Sequence, residues 1–287
     1  MDLRVGDHVI RPGEFAVMAI INRTPDSFYD RGATYGFHAA LDRVDEVLDE
    51  GADIIDVGGV KAGYGDDVDA AEELRRTADF VTAVRERHPS LPISVDTWRG
   101  EVAHVLCGLG ANLVNDTWAG HDLETAVVAA EHGAGLVCSH TGGLPPRTDP
   151  HRVTYDDVVA DVVRTTTALA ERAVELGVDA QRILVDPTHD FGKNTRHSLE
   201  LTRRLGELVA TDWSVLVAVS NKDFIGETLD VRRDQRMAGT LAATAVAAMA
   251  GARVFRAHDV RETRQALDMV ASIQGTRPPA VARRALA

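Results

Sequence analysis

Short polar side chains and basic side chains follow separate apolar runs of this sequence. The short acceptors and amides are Asp96, Asn115 and Asp186, and the basic residues are Lys222, Arg256 and His258. A carboxylate accepts two parallel hydrogen bonds, so a flat heterocycle with ring N–H and amino donors would satisfy the first set. Basic side chains at the ends of late strands are typical of an anion site. The sequence therefore predicts a pocket for a flat, donor-rich molecule with an anionic tail.

Three other interpretations of these residues stay open from the residue types alone. The short acceptors could satisfy one another in a closed polar network, since buried polar groups need partners. Arg256 could form a structural salt bridge. The carboxylates could hold a hard metal ion, and the candidates are Asp56, Asp96, Asp186 and Asp190. A catalytic zinc is not expected, because His140 and His189 lack the close spacing of a zinc motif.

Eight apolar runs of strand length position these residues, and segments with helical periodicity follow most of the runs. The predicted strands are 16–21, 53–57, 93–95, 112–114, 135–138, 182–185, 215–219 and 253–255. Eight strand-then-helix units predict a TIM (β/α)8 barrel, in which functional residues gather at the carboxyl ends of the strands. An open doubly wound sheet is the alternative. We expect one domain over 1–287, with a lead-in at 1–15, where a hairpin would cross the barrel bottom, and a tail at 276–287.

Composition limits the classes of function. The formal charge of −13 argues against general nucleic-acid binding, which depends on lysine and arginine contacts to phosphates. No apolar run reaches the roughly 18 residues that a membrane span needs, and the N-terminus has no signal-peptide pattern. The two cysteines, Cys107 and Cys138, lie in apolar or helical segments, which favours buried thiols in a cytoplasmic protein.

Seven motifs spread over nearly the whole chain resemble the dihydropteroate synthase family. They are N-R-T-P-D-S-F, I-I-D-V-G-G, I-S-V-D-T, N-D after the fourth strand, D-P-x-x-D-F-G-K-N, S-N-K-D-F-I-G and R-A-H-D-V. The resemblance implies a TIM barrel that forms a homodimer. It also implies magnesium-assisted condensation of a dihydropterin methyl pyrophosphate with p-aminobenzoate in folate biosynthesis.

The resemblance assigns roles to particular residues. The residues that match the pterin site are Asp96, Asn115, Asp186, Phe191 and Lys222, and those that match the pyrophosphate site are Asn22, Lys61, Arg256 and His258. Asn22 also matches the ligand of the pyrophosphate-bound Mg²⁺. The acceptor-site matches are Thr24, Pro25, Phe28, Ser220 and Asp223. Lys222, Arg256 and Asp30, the last in the lid loop, are the implied catalytic residues.

The sequence departs from the family pattern near the acceptor. Val60–Gly65 replaces the usual E-S-T-R-P-G, so that Lys61 stands in for an arginine, as a point charge and not a bidentate fork. The usual S-R-K-S is Ser220–Asp223, which brings a carboxylate to the place of a serine that helps to receive the p-aminobenzoate carboxylate. We expect Asp223 to cap its helix. The first loop also has Arg23 and Arg31 where small residues are usual.

Two functions follow from this combination. The first is a dihydropteroate synthase-like transferase with weakened activity, acting on p-aminobenzoate or a variant aromatic amine. The alternative is a pterin-binding homologue without synthase activity, in a binding or regulatory role. A pterin-dependent methyltransferase is a weaker third interpretation, because the basic residues that would hold a pyrophosphate argue against it.

Overall fold

The computed structural model describes residues 1–24, 36–61, 63, 67–148 and 153–284. Two short strands, β1 (Leu3–Val5) and β2 (His8–Ile10), form an antiparallel hairpin. Eight parallel strands follow: β3 (Ala16–Asn22), β4 (Ile54–Gly58), β5 (Ile93–Asp96), β6 (Leu113–Asp116), β7 (Gly135–Ser139), β8 (Ile183–Asp186), β9 (Ser214–Val217) and β10 (Val254–Ala257). They pair in chain order, and β10 pairs with β3 to close the barrel. The predicted TIM barrel is confirmed, and the open sheet is excluded by this closure.

Ten helices cover the outside of the barrel within the described ranges. They are α1 (Phe37–Asp49), α2 (Ala70–Arg87), α3 (Gly100–Gly108), α4 (Glu124–Glu131), α5 (Val158–Glu175), α6 (Thr195–Arg203), α7 (Leu205–Val209), α8 (Asp223–Leu229), α9 (Met237–Ala250) and α10 (Val260–Gln274). One face of α1 is apolar and packs against the barrel, and its buried residues are Ala40, Leu41, Val44 and Val47. Nowhere in the described ranges is a helix long and apolar enough to cross a membrane.

The lower half of the barrel is closed by the N-terminal hairpin. Leu3, Val5 and Ile10 are fully or almost fully buried against side chains of the strands, such as Met18 and Val254. The cluster contains only apolar side chains, so it is a packed core and not a channel. A polar site therefore has room only at the opposite end, where the strands finish in polar residues.

Candidate functional site

A cavity of about 360 Å³ opens at the carboxyl ends of the strands. Ten of the residues that the sequence predicts for the site line it: Asn22, Thr24, Lys61, Asp96, Phe191, Ser220, Lys222, Asp223, Arg256 and His258. Asn115 and Asp186 do not line it, and both are buried, with 3% and 4% of their surfaces exposed. Pro25, Phe28 and Asp30 lie outside the described residues. The parallel register brings strand ends to one rim, which is why residues far apart in sequence meet here.

Arg256 at the end of β10 is paired with two carboxylates. Its Nε donates to Asp56 Oδ2 at 2.6 Å, and its Nη2 donates to Asp96 Oδ2 at 2.8 Å. Asp56 is completely buried and also accepts from Ser94 Oγ at 2.6 Å and from Asn115 Nδ2 at 3.1 Å. Part of the predicted polar ring is thus a closed network, and the structural salt bridge considered for Arg256 is present. Arg256 still lines the cavity.

Asp96 is the carboxylate of this network that faces the cavity. Its Oδ1 accepts from Thr117 Oγ1 at 2.7 Å, while Oδ2 faces Arg256. Burial raises the pKa of Asp96 to about 7; the Arg256 charge opposes this shift, and the Asp56 charge adds to it. Asp96 is therefore close to half ionised at neutral pH, so its capacity to accept hydrogen bonds from a ligand depends on pH.

Lys222 and Phe191 form the opposite wall. Lys222 Nζ lies 4.4 Å from the centre of the Phe191 ring and donates to the carbonyl of His189 at 2.9 Å. Burial lowers the pKa of Lys222 and raises that of Asp186, and their opposite charges oppose both shifts. Asp186, at the end of β8, accepts from the backbone N–H of Thr188 at 2.7 Å. The Asp186 carboxylate, buried below the cavity, and the Lys222 ammonium, which lines the cavity, therefore stabilise each other's charged forms.

An aromatic cluster extends this wall. Trp118 lies edge-on to Phe191 with ring centres 5.4 Å apart, and Trp98 lies edge-on to Trp118 at 6.4 Å. Asp116 fixes the loop that carries Trp118, because it accepts from the backbone N–H groups of Trp118 and Gly120. Apolar faces beside short polar groups suit a flat aromatic ligand.

Four further predicted residues line the cavity, and two of them are basic. Asn22 ends β3, and His258 follows β10 with its backbone N–H donating to Ser220 Oγ at 3.2 Å. Thr24 is buried, with 2% of its surface exposed. Lys61, in the loop after β4, is the fourth of these residues. Two lysines, one arginine and one histidine therefore line the same cavity as the carboxylate of Asp96.

The expectation that Asp223 caps α8 is wrong. The cap position is Lys222, and Asp223 is the first helical residue. The carboxylate of Asp190, from the loop after β8, instead accepts from the backbone N–H groups of Asp223 and Phe224, at 2.7 and 3.3 Å. The Asp223 carboxylate turns to Arg236, whose Nη1 lies 2.7 Å from Oδ1. Arg236 thus offsets part of the repulsion that Asp223 would exert on an anionic acceptor.

Magnesium would find few protein ligands here. In the ranges that the structure describes, no three or more histidine, cysteine or carboxylate side chains form a metal-binding group. Asp56, one of the possible hard-metal ligands, has its oxygens occupied by Ser94, Asn115 and Arg256. Asn22 supplies an amide oxygen at the rim. This arrangement fits an ion carried mainly by phosphate oxygens and water, as is usual for Mg²⁺.

An eight-stranded parallel barrel with a polar cavity at the carboxyl ends of its strands is the architecture of TIM-barrel proteins that bind small molecules. Residues 18–258 match the sequence pattern of the pterin binding enzymes, and the chain belongs to this family. The predicted resemblance to dihydropteroate synthases is confirmed.

Some relatives are named as inactive dihydropteroate synthases, and others are named as dihydropteroate synthases. The chain is 58% identical over 275 residues to inactive dihydropteroate synthase 2 of Mycobacterium leprae, covering 94% of each chain. It is 37% identical over 255 residues to dihydropteroate synthase of Escherichia coli K12, covering 88% of this chain and 90% of the relative. The crystal structure of Yersinia pestis dihydropteroate synthase with a sulfonamide drug matches with a TM-score of 0.90 at 33% identity, covering 96% of this chain and 100% of that one.

Four residues near the site were not among the predicted ligand contacts. Asp56 was considered only as a metal ligand, and Thr117, Trp98 and Trp118 were not predicted for the site. Thr117 lines the cavity, whereas the two tryptophans pack in one cluster with Phe191. The available signal was that Thr117 and Trp118 directly follow β6, as Thr97 and Trp98 directly follow β5. The repeated pattern D-T-W at 96–98 and 116–118 could have indicated a paired aromatic wall.

Proposed function

We propose that this protein binds a dihydropterin methyl pyrophosphate and acts as a dihydropteroate synthase of weakened activity. The observation that carries the proposal is the cavity itself. Asp96 lies on one wall and Lys222 and Phe191 lie on the opposite wall, and Arg256 and His258 also line the cavity. Asn115 and Asp186 lie below these groups, where Asn115 donates to Asp56 and Asp186 faces the charges of Lys222 and Arg256. A bound pterin would form hydrogen bonds with both after small side-chain rotations. The family, which the chain shares with the E. coli enzyme, supports the same conclusion.

The chemistry follows from this division of the cavity. The pterin ring would lie against Phe191, with its donors toward Asp96 and its acceptors toward Lys222. Arg256 and His258 would stabilise the pyrophosphate as its C–O bond to the pterin methylene breaks, which is the step in which charge develops. Asn22 would help to hold a Mg²⁺ ion, and the chemistry that such an ion would supply is further neutralisation of the leaving-group charge. The amine then forms the new C–N bond and loses a proton.

The acceptor end is where activity would be weakened. Asp223 lines the cavity with 77% of its side chain exposed, and its carboxylate pairs with Arg236. A carboxylate-bearing acceptor such as p-aminobenzoate meets this negative charge. The alternative, a pterin-binding protein without synthase activity, is favoured by the inactive M. leprae relative at 58% identity.

Direct titration tests the shared part of both functions. In calorimetry with 6-hydroxymethyl-7,8-dihydropterin pyrophosphate and Mg²⁺, we expect one site per chain with micromolar affinity, that is about −8 kcal/mol. Binding that is absent, or that persists unchanged in the Lys222→Met variant, would contradict the proposed pterin site.

Removal of the Asp223 charge should improve acceptor binding. We expect Asp223→Ser to strengthen p-aminobenzoate binding by about tenfold, because it removes a carboxylate and releases Arg236 to face the acceptor anion. Adding Asn221→Arg to this variant should improve p-aminobenzoate affinity by less than the added positive charge alone would give. The reason is that residue 221 has a φ of 56°, a conformation that is unfavourable for arginine. Titrations with pterin and pyrophosphate present measure the change.

The matched control is Asp234→Asn, which removes one negative charge from an exposed carboxylate paired with Arg232 and outside the cavity lining. This control should leave the affinity for p-aminobenzoate unchanged. An equal gain in both variants would show that net charge, and not the position of Asp223, limits the acceptor.

The homodimer implied by the family is also part of the proposal. Four large apolar side chains are exposed on two adjacent helices, Val246 and Met249 on α9 and Met269 and Ile273 on α10, each more than half exposed. Exposed apolar patches of this kind mark association surfaces. Sedimentation equilibrium should give the mass of a dimer; a monomer at micromolar concentration would exclude this interface.

A further inference from the structure

The loop between β8 and α6, residues 187–194, has an unusual backbone. Thr188, Asp190 and Gly192 have φ values of 52°, 69° and 60°. Two of them carry side chains, and the left-handed conformation is unfavourable for residues with a Cβ atom. A Cβ at Gly192 would come within 2.1 Å of the Thr141 carbonyl oxygen, so only glycine fits there. A backbone of this kind persists only where surrounding contacts hold it.

Lys193 supplies three of these contacts. Its ammonium donates to the carbonyls of His140, Thr188 and Phe191 at 2.8, 3.1 and 2.9 Å. Only 6% of Lys193 is exposed, and its three N–H donors are all used. The Lys193 side chain therefore links the loop to His140, which follows β7. It also links Thr188 and Phe191, which lie on either side of Asp190 in the loop.

Two further side chains hold the same loop. Tyr155 Oη donates to the Gly192 carbonyl at 2.7 Å, and Lys222 Nζ donates to the His189 carbonyl at 2.9 Å. The Tyr155 bond comes from the segment that precedes α5, whereas the Lys222 bond comes from the ligand cavity itself. A pterin that takes the Lys222 ammonium would weaken the second bond, and Lys193 and Tyr155 would then hold the loop alone.

We propose that Lys193 is a positioning residue of the pterin site, which holds the Phe191 carbonyl so that the Phe191 ring stays in place when Lys222 turns to the ligand. The inference rests on the proposed function, because it assumes that a pterin lies against Phe191. Lys193 does not line the cavity at Phe191, so it acts through the backbone and not by contact with the ligand.

The charges around Lys193 bear on its protonation. The carboxylates of Asp186, Asp190 and Asp161 favour the ammonium, and the charge of Lys222 disfavours it. His140 and His189 are neutral neighbours, because burial lowers their pKa values to about 4 and about 3. Burial lowers the pKa of Lys193 to about 7, so the ammonium loses its third donor as the pH rises above neutrality.

A double-mutant cycle between Lys193→Met and Phe191→Ala tests the inference, with 6-hydroxymethylpterin as the probe. We expect Phe191→Ala to raise the dissociation constant about tenfold, and Lys193→Met to raise it about fivefold. In the Phe191→Ala background, Lys193→Met should raise it by less than about twofold further. This non-additivity is the readout that a general stabilising role would not produce. If Lys193→Met does not fold, Lys193→Gln, which keeps two N–H donors, enters the same cycle.

The matched control is Arg172→Met, which removes an exposed cation that pairs with Glu175 on α5 and should leave the affinity unchanged. Additive effects of Lys193 and Phe191 would overturn the inference while leaving the proposed function intact. A wild-type protein that fails to bind the probe would instead overturn the proposed function.

Discussion

Arg256→Met should lower the free energy of unfolding by about 3–5 kcal/mol, because it leaves two carboxylates close together without their shared cation. Asp56 is completely buried, and Asp96 is largely buried beside it. Protonation of Asp96, whose pKa burial raises to about 7, makes the loss smaller, so the loss should grow as the pH rises through 7. Urea unfolding at pH 6 and pH 8 measures both the size and the pH dependence of the loss.

The control for this variant is Arg172→Met, since Arg172 is exposed and pairs with the exposed Glu175 on α5. Exposed pairs of this kind add little to stability, so the midpoint should hardly move. A loss at Arg256 no larger than that at Arg172 would show that the pair with Asp56 and Asp96 does not hold this end of the barrel together.

Pterin affinity should fall as the pH falls below 7. Burial raises the pKa of Asp96 to about 7, above its ordinary value, so the carboxylate that we propose as acceptor for the pterin N–H groups is lost on acidification. Once the group is mostly protonated, the affinity should drop about tenfold per pH unit, and above pH 8 it should be constant with respect to this group. Titrations with 6-hydroxymethylpterin, which has no phosphate to titrate, measure the profile between pH 5.5 and 8.5.

Asp96→Asn identifies the group responsible. The amide does not titrate, so the variant should bind more weakly at pH 8 and show a flat profile toward low pH. A wild-type profile that is already flat, or a variant that keeps the wild-type pH dependence, would show that another group controls binding.

The barrel and most of its rim could be predicted from the sequence because each strand end can be recognised locally. An apolar run followed by a polar residue is visible without knowledge of the fold, and the closed topology then places all such residues on one rim. The helix α4 was not predicted, since its eight residues are too few to display a clear amphipathic period.

The pairing of side chains across the rim could not be predicted. Arg256 on β10 reaches Asp56 on β4 and Asp96 on β5, and the choice among several carboxylates depends on distances that no local pattern encodes. The side chain that caps the N-terminus of α8 could not be predicted either. Asp223 is a good cap residue by type, yet Asp190 from another loop occupies the helix N-terminus, and Asp223 pairs with Arg236.

Lys193 illustrates a second limit of sequence reasoning. Within D-P-T-H-D-F-G-K-N it resembles a surface lysine before a helix, and charged residues are almost never fully buried unless they are paired. Its burial depends on the left-handed residues of the same loop, which turn the carbonyls of Thr188 and Phe191 toward it, while His140 from another loop supplies the third carbonyl. The motif predicted a functional loop, and the structure supplies the internal contacts that hold it.

In the proposed function, the pterin side of the cavity is retained while the acceptor side is altered. Steady-state turnover of 6-hydroxymethyl-7,8-dihydropterin pyrophosphate with p-aminobenzoate and Mg²⁺, measured beside the E. coli enzyme, tests it most directly. We expect product formation at least about a hundredfold slower in kcat/KM, or about 3 kcal/mol of lost transition-state stabilisation, with pterin binding preserved. Turnover equal to that of the E. coli enzyme would contradict the account.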